Sequence, residues 1–482
     1  MKASFGGDTS RLIPSSVSAR ASKLGRWPFA FGPRFFVALL VCLVWLGPAW
    51  WDHRFVYFVV LWDSLVLLVW LQDLRRTPRP DQIEITREWQ GPVYLGEAAY
   101  VLLQVQCDTP ATIHIRLEDD LHDSLGAAPV AGEIHVQGSQ TASLTYSVCP
   151  GSRGDFSARG IYLRYQSPLR FAERRAVADL KQTVRVYPSL KESKQYLLYL
   201  MRSRQIEIER RLKRTAGAGR DFESLRDYRE GDEPRDICWT ATARRAKLIT
   251  RTYQVERSQA VVIVVDAGRL LLAKVQPPPS QHSESESQDR KAGVILTKLD
   301  YAVNAAISLA RVALYSGDAV GLAAYSRGLQ VRLPPARGTI HMRTLVESLA
   351  LVRGELLEGD HQRAAAYLLA ARKRRSLVVW LTDLAETAAM PEVIEAASSL
   401  VARHLVLFIA IGQPELYRLA ALRPASVREA YRYVAAQEVL ERRELLLRRL
   451  RQQGALAFEL QPSQLAAGLV NRYLEVKERS ML

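Results

Sequence analysis

Three aspartates stand where chemistry is most easily placed in this 482-residue chain. Asp266 follows the apolar run 260–265, Asp383 follows the apolar run 377–382, and Asp360 lies in the loop before a helical stretch at 364–373. In open sheets covered by helices, ligands gather at the carboxyl ends of strands. Carboxylates converging there could hold a hard cation such as magnesium through oxygen ligands, or activate water as a metal-dependent hydrolase does. The surrounding residues offer little more. The first loop reads Asp266-Ala267-Gly268-Arg269-Leu270 and carries no hydroxyl, and the segment 354–366 carries no threonine. Arg269 adds a positive charge beside the acids, so a structural ion pair with Arg269 or Arg337 is the competing expectation. The Gly-rich stretch 215–220 lacks the Gly-Lys-Ser/Thr ending of a phosphate loop, and neither His-Glu-x-x-His nor Gly-x-Ser-x-Gly occurs. The chain is therefore read as non-enzymatic and without cofactor, magnesium at Asp266, Asp360 and Asp383 being the one metal considered.

The elements that would position these acids come from apolar periodicity. Continuous apolar strands at 260–265, 320–325, 377–382 and 405–411 alternate with amphipathic helices at 299–315, 342–352, 364–373 and 393–402. Strands apolar on both faces imply a mainly parallel sheet covered by helices. A final strand at 456–460 and helix at 462–478 complete an α/β domain over 259–482, with a Pro/Ser/Glu-rich loop, 276–291, inserted after the first strand. Before it, short alternating segments between 81 and 188, punctuated by Gly and Pro, imply an antiparallel β-sandwich-like domain. The fold class is thus α+β multidomain.

Two apolar runs, 35–51 and 55–71, are separated only by Asp52-His53-Arg54. Each is near the lower limit for crossing a bilayer, and tryptophans 45, 50, 51, 62 and 70 lie mostly toward their ends. A hairpin of two transmembrane helices over 29–80 is expected. Basic residues before and after it put both ends in the cytoplasm, in an inner, multi-pass membrane location. Asp63 is expected to be protonated, or satisfied by Ser64 or the neighbouring helix. Residues 1–28 read as a disordered basic tail. The formal charge of +16 is explained in part by anionic lipid. The arginine-rich helix 424–453 could be a nucleic-acid-binding module, but its leucines alternate with Arg428, Arg432, Arg442, Arg443, Arg448, Arg449 and Arg451 as in a packed amphipathic helix, so nucleic acid is not expected as a partner. Cys42, Cys107, Cys149 and Cys238 show no metal-ligand spacing and are expected as free thiols.

Between the two domains, 189–258 reads as a charged helical linker running into a block with both signs interleaved. Phe222, Leu225, Arg226, Tyr228, Gly231, Asp232, Arg235, Ile237, Trp239, Ala243 and Arg244 fall at fixed spacings within it. Large apolar residues among so many charges imply an ordered segment docked on a core. The block resembles the signature of domain-of-unknown-function family fifty-eight, in which it precedes a von Willebrand factor type A-like domain. That resemblance implies a membrane-anchored adaptor, a partner of MoxR-type AAA+ ATPases in complex assembly or maturation. It also implies a metal-ion-dependent adhesion site of the form Asp-x-Ser-x-Ser, a middle-loop Thr and a later Asp. Here Gly268 and Leu270 replace the two serines, and Asp383 matches the later acid. Cys238 stands where the family often carries an acid just before the tryptophan.

Overall fold

The computed structural model describes residues 13–25, 29–44, 54–110, 112–126, 130–138, 140–189, 221–229, 234–254, 259–275, 295–384 and 390–479. They divide into two compact units.

The first unit is built on two β-sheets. One runs Val17–Arg20, Ile83–Trp89, Ala99–Cys107, Ala142–Val148 in that order, all antiparallel. The other centres on Gly154–Gln166, flanked by Ile113–Leu121, Ala172–Ala178 and Gln182–Tyr187. Residues alternate buried and outward along Ile83–Trp89 and Ala99–Cys107, as strands with one face on a core must. The sheets meet through Arg87, whose guanidinium reaches Asp119 and the Leu180 carbonyl, and through Trp89 Nε1, which donates to Gln182 at 3.1 Å. This is the expected sandwich, with one correction. The expected disordered tail contributes strands: Val17–Arg20 pairs with Ile83–Trp89, and Ser22–Lys23 and Phe29–Phe31 pair with Ala172–Ala178. Val17, Ala19 and Ala21 supply a short alternation that the surrounding Ser and Arg obscured.

The expected transmembrane hairpin also needs correcting. Among the described residues one helix, Arg54–Arg76, is long and apolar enough to cross a bilayer. At 23 residues it spans about 35 Å, against roughly 30 Å of hydrocarbon. In the first apolar run Pro33–Val41 forms a helix of nine residues, residues 43 and 44 are helical again, and 45–53 lies outside the described residues. Trp62 Nε1 donates to the Ala38 carbonyl at 2.8 Å, joining the two helices. The last turn of the long helix is tied down by Asp73. This side chain is buried and accepts from the Ser167 hydroxyl and from the backbone N–H groups of Phe171 and Ala172. A carboxylate so saturated with donors makes the helix end part of the sandwich.

In the second unit the strands are β1 (Ala260–Asp266), β2 (Ala319–Tyr325), β3 (Leu329–Ala336), β4 (Leu377–Thr382), β5 (Leu405–Ile411) and β6 (Leu456–Leu460). The helices are α1 (Lys298–Tyr315), α2 (Thr339–Ala350), α3 (His361–Ala371), α4 (Met390–Val401), α5 (Pro414–Ala421), α6 (Val427–Gln452) and α7 (Leu465–Glu478). The sheet order is β3-β2-β1-β4-β5-β6, parallel except for β3 at the edge. β1, β4 and β5 are buried along almost their whole length. One core cluster joins Val264, Trp380, Phe408, Leu368, Leu400, Leu446 and Leu450 between the sheet and α3, α4 and α6. Helix α1 begins with a capping box, Thr297 and Asp300 bonding reciprocally.

The signature block forms a two-stranded antiparallel pair, Asp221–Asp227 with Ile249–Gln254, and a short helix, Trp239–Arg245. Gly231 and Asp232 lie outside the described residues, as does 190–220, where the helical linker was expected. Of the large side chains seen here, Tyr228 and Ile237 are half-buried, whereas two are not docked on a core. Leu225 is 40% and Trp239 67% exposed, while Cys238 and Ile249 are buried.

Candidate functional site at the carboxyl edge

Strands β1 and β4 bring two of the three acids to one edge, because they are neighbours in register, Val265 opposite Leu381. The atoms around each acid decide what it can do. Asp266, 3% exposed, accepts from the Gly268 N–H at 2.8 Å through one oxygen. Its other oxygen accepts from the Thr382 hydroxyl at 2.6 Å. Burial pushes this carboxyl above the usual carboxylate range, against the pull of His361 and of its hydrogen bonds. Two glycines permit the tight loop: a Cβ on Gly359 would lie 2.7 Å from Asp266 Oδ1, and one on Gly268 would lie 2.9 Å from the Gly359 nitrogen.

Asp383 is held differently. Lys298 Nζ lies 2.6 Å from its Oδ2, and Arg443 Nη1 lies 2.9 Å from its Oδ1. The Arg443 contact is off the N–H direction, leaving Oδ1 without a formal hydrogen bond, so it acts through charge. Arg443 also donates to the carbonyls of Leu384 and Ile411, each at 2.9 Å, and approaches Glu459 at 3.4 Å. Asp360 is not part of the group. It caps α3, accepting from the Arg363 N–H at 2.8 Å. Beside it, Tyr325 joins His361 Nδ1 and Trp380 Nε1, each at 2.7 Å, and burial pulls His361 below the usual imidazole range.

This donor set does not fit a divalent cation. A hard cation needs several oxygen lone pairs aimed at one point, and here both oxygens of Asp266 accept from donors and both of Asp383 face cations. Among the described residues no group of three His, Cys, Asp or Glu could hold a metal. The expected ion pair is present, but with other partners. Arg269 pairs with Glu358 at the surface, and no ion pair of Arg337 with these acids is seen among the described residues. The residues that do the work, Lys298, Arg443 and Thr382, were not singled out for it. Arg443 carried a signal: it shares a helical face with Ala436, Leu446, Leu447 and Leu450, all buried. Lys298 carried another, since a lysine at the first position of a helix opposes the macrodipole and needs a specific partner. Three other α6 arginines are engaged locally, Arg442 with Glu438, and Arg448 and Arg451 with Glu444.

Above Asp383 opens a cleft of about 360 Å³. Leu270, Leu272, Leu416 and Val439 wall it, with Arg269, Gln413 and Arg443 at its polar side. Such a volume suits one or two anchoring side chains.

Residues 224–432 match the model of the family described as protein of unknown function DUF58, and the α/β unit there is a parallel sheet closed at one side by an antiparallel edge strand. Similar solved structures include the SpRpn10 VWA domain, at 14% identity over 45% of this chain and 95% of that one, with a TM-score of 0.26. The conserved hypothetical protein BatB from Bacteroides thetaiotaomicron is similar at 14% identity, over 46% and 100%, with a TM-score of 0.27. An uncharacterized membrane spanning protein from Vibrio fischeri is similar at 14%, over 45% and 96%, with a TM-score of 0.16. At these scores the likenesses add nothing to the strand order itself. No curated protein matches the chain.

Proposed function

We propose that the chain is a membrane-held, non-enzymatic scaffold whose α/β unit binds a protein partner through the cleft at its carboxyl edge. One observation carries the reading: the acids of that edge are spent on internal partners, while an apolar-walled cleft opens beside them. Ionised groups already paired in a buried network make poor acid–base catalysts, whereas apolar pockets receive the anchoring side chains of partners. The family resemblance implies a MoxR-type AAA+ ATPase as the partner, in complex assembly or maturation. Helix Arg54–Arg76 is the anchor in this reading, with both units facing the cytoplasm at the inner membrane.

Purification from native membranes in gentle detergent, followed by mass spectrometry, tests it. An AAA+ ATPase should accompany the native chain and be lost from a Leu416→Glu variant, which puts a charge into the cleft wall. Absence of any AAA+ ATPase would remove the adaptor reading.

A further inference from the structure

The buried lysine at the carboxyl edge calls for an explanation. Lys298 Nζ lies 2.6 Å from Asp383 Oδ2 and 3.4 Å from Gln413 Oε1, with 1% of the side chain exposed. Burying an ammonium is costly unless it is paired and hydrogen-bonded. The first turn of a helix is also the worst place for a positive charge. The sequence accepts both costs at Lys298, and the contacts it gains are with Asp383 and Gln413. Those oxygens accept from an ammonium as they would ligate a metal ion. Charge agrees with this. Lys298 and Arg443 face Asp383 and Glu459, two positive groups against two negative ones, so the charge of Asp383 is already balanced by side chains of the protein.

We propose that the Lys298 ammonium permanently occupies the place of a bound cation at this edge, so that the domain engages its partner without metal. Lys298 is then a positioning residue, holding Asp383 and through it the floor of the cleft. The inference does not depend on who the partner is.

The test uses the full chain in detergent, with manganese alone as the probe and its free-ion paramagnetic resonance signal as the readout. The native chain should leave 1 mM-scale manganese free (roughly the range of weak carboxylate sites) and unfold at the same temperature with or without chelator. Lys298→Ala should unfold on the order of 10 °C lower, bind manganese and regain part of that loss on binding it. Lys298→Ala/Asp383→Ala should bind none. Manganese uptake by the native chain that disappears in Asp383→Asn would overturn the proposal, as would a folded Lys298→Ala that takes up no ion. If Lys298→Ala does not fold, Lys298→Met/Asp383→Leu decides. Its folding shows that Asp383 requires a cation at this place and supports the proposal. Its failure to fold shows that Lys298 serves some other need and overturns it.

Discussion

Asp266 is the acid most at odds with its surroundings. Its two donors, the Gly268 N–H and the Thr382 hydroxyl, do not offset burial, and its carboxyl is pushed up. A raised folded pKa means that the folded chain holds the proton more tightly than the unfolded one. Stability is therefore gained as pH falls through the raised value and diminished above it. Asp266→Asn keeps an acceptor for Gly268 and removes the charge. Its thermal midpoint at pH 7.5 should equal or exceed the native one, with a flatter dependence down to about pH 4; a loss above about 2 kcal/mol would contradict this. Cys238 shifts the other way. Hydrogen bonds with Thr240 and Arg251 pull its thiol down to about 7, so thiol and thiolate are both populated near neutral pH. Its stabilising effect is present above the ordinary thiol range and lost as pH falls through about 7. Cys238→Asp should retain native stability at pH 6, where the native chain has lost that contribution; equal pH profiles would contradict it. The sequence placed Asp266 and Asp383 at one edge because each ends a continuous apolar run. It did not disclose their partners, since Lys298 and Arg443 approach Asp383 from helices separated from it by 85 and 60 positions, and sequence spacing carries no sign of such contacts.

At the scale of elements, the sandwich depends on a buried pair. Arg87 and Asp119 are both fully buried, and Asp119 also accepts from Tyr146. Removing one partner strands the other charge, so Asp119→Ala should cost about 3–5 kcal/mol in urea unfolding, and Arg87→Met/Asp119→Leu should recover most of it. A cost below about 1 kcal/mol would mean that the pair is as weak as a surface one. Alternation at 82–86 and 99–105 marked parts of the strands Ile83–Trp89 and Ala99–Cys107, yet gave no hint that Arg87, on the inward face, would be matched across the sheets. Strand β3 was missed for a definite reason: Pro334 and Pro335 interrupt its pattern, and proline is tolerated in a sheet only at an edge, which is where β3 lies. The exposure of Leu225 and Trp239 in the signature block was not legible, because apolar residues among charges read the same whether they meet a core or a partner.

For the whole molecule, the proposed function requires Arg54–Arg76 to hold the chain in a membrane. The full chain should stay with the membrane through alkaline carbonate washing, and its appearance in the wash would contradict anchoring by Arg54–Arg76. Cys149, exposed on the first unit, should react with a membrane-impermeant maleimide only after the cells are opened. Labelling of intact cells would reverse the proposed orientation. The central claim, that the cleft beside Asp383 receives the partner, is tested most directly by placing a photo-crosslinking residue at Leu416 in the native membrane and identifying the adduct by mass spectrometry. The expected result is an AAA+ ATPase joined at Leu416 and not at Ile340, an exposed residue outside the cleft. No ATPase adduct at Leu416, or equal adducts at both positions, would contradict it.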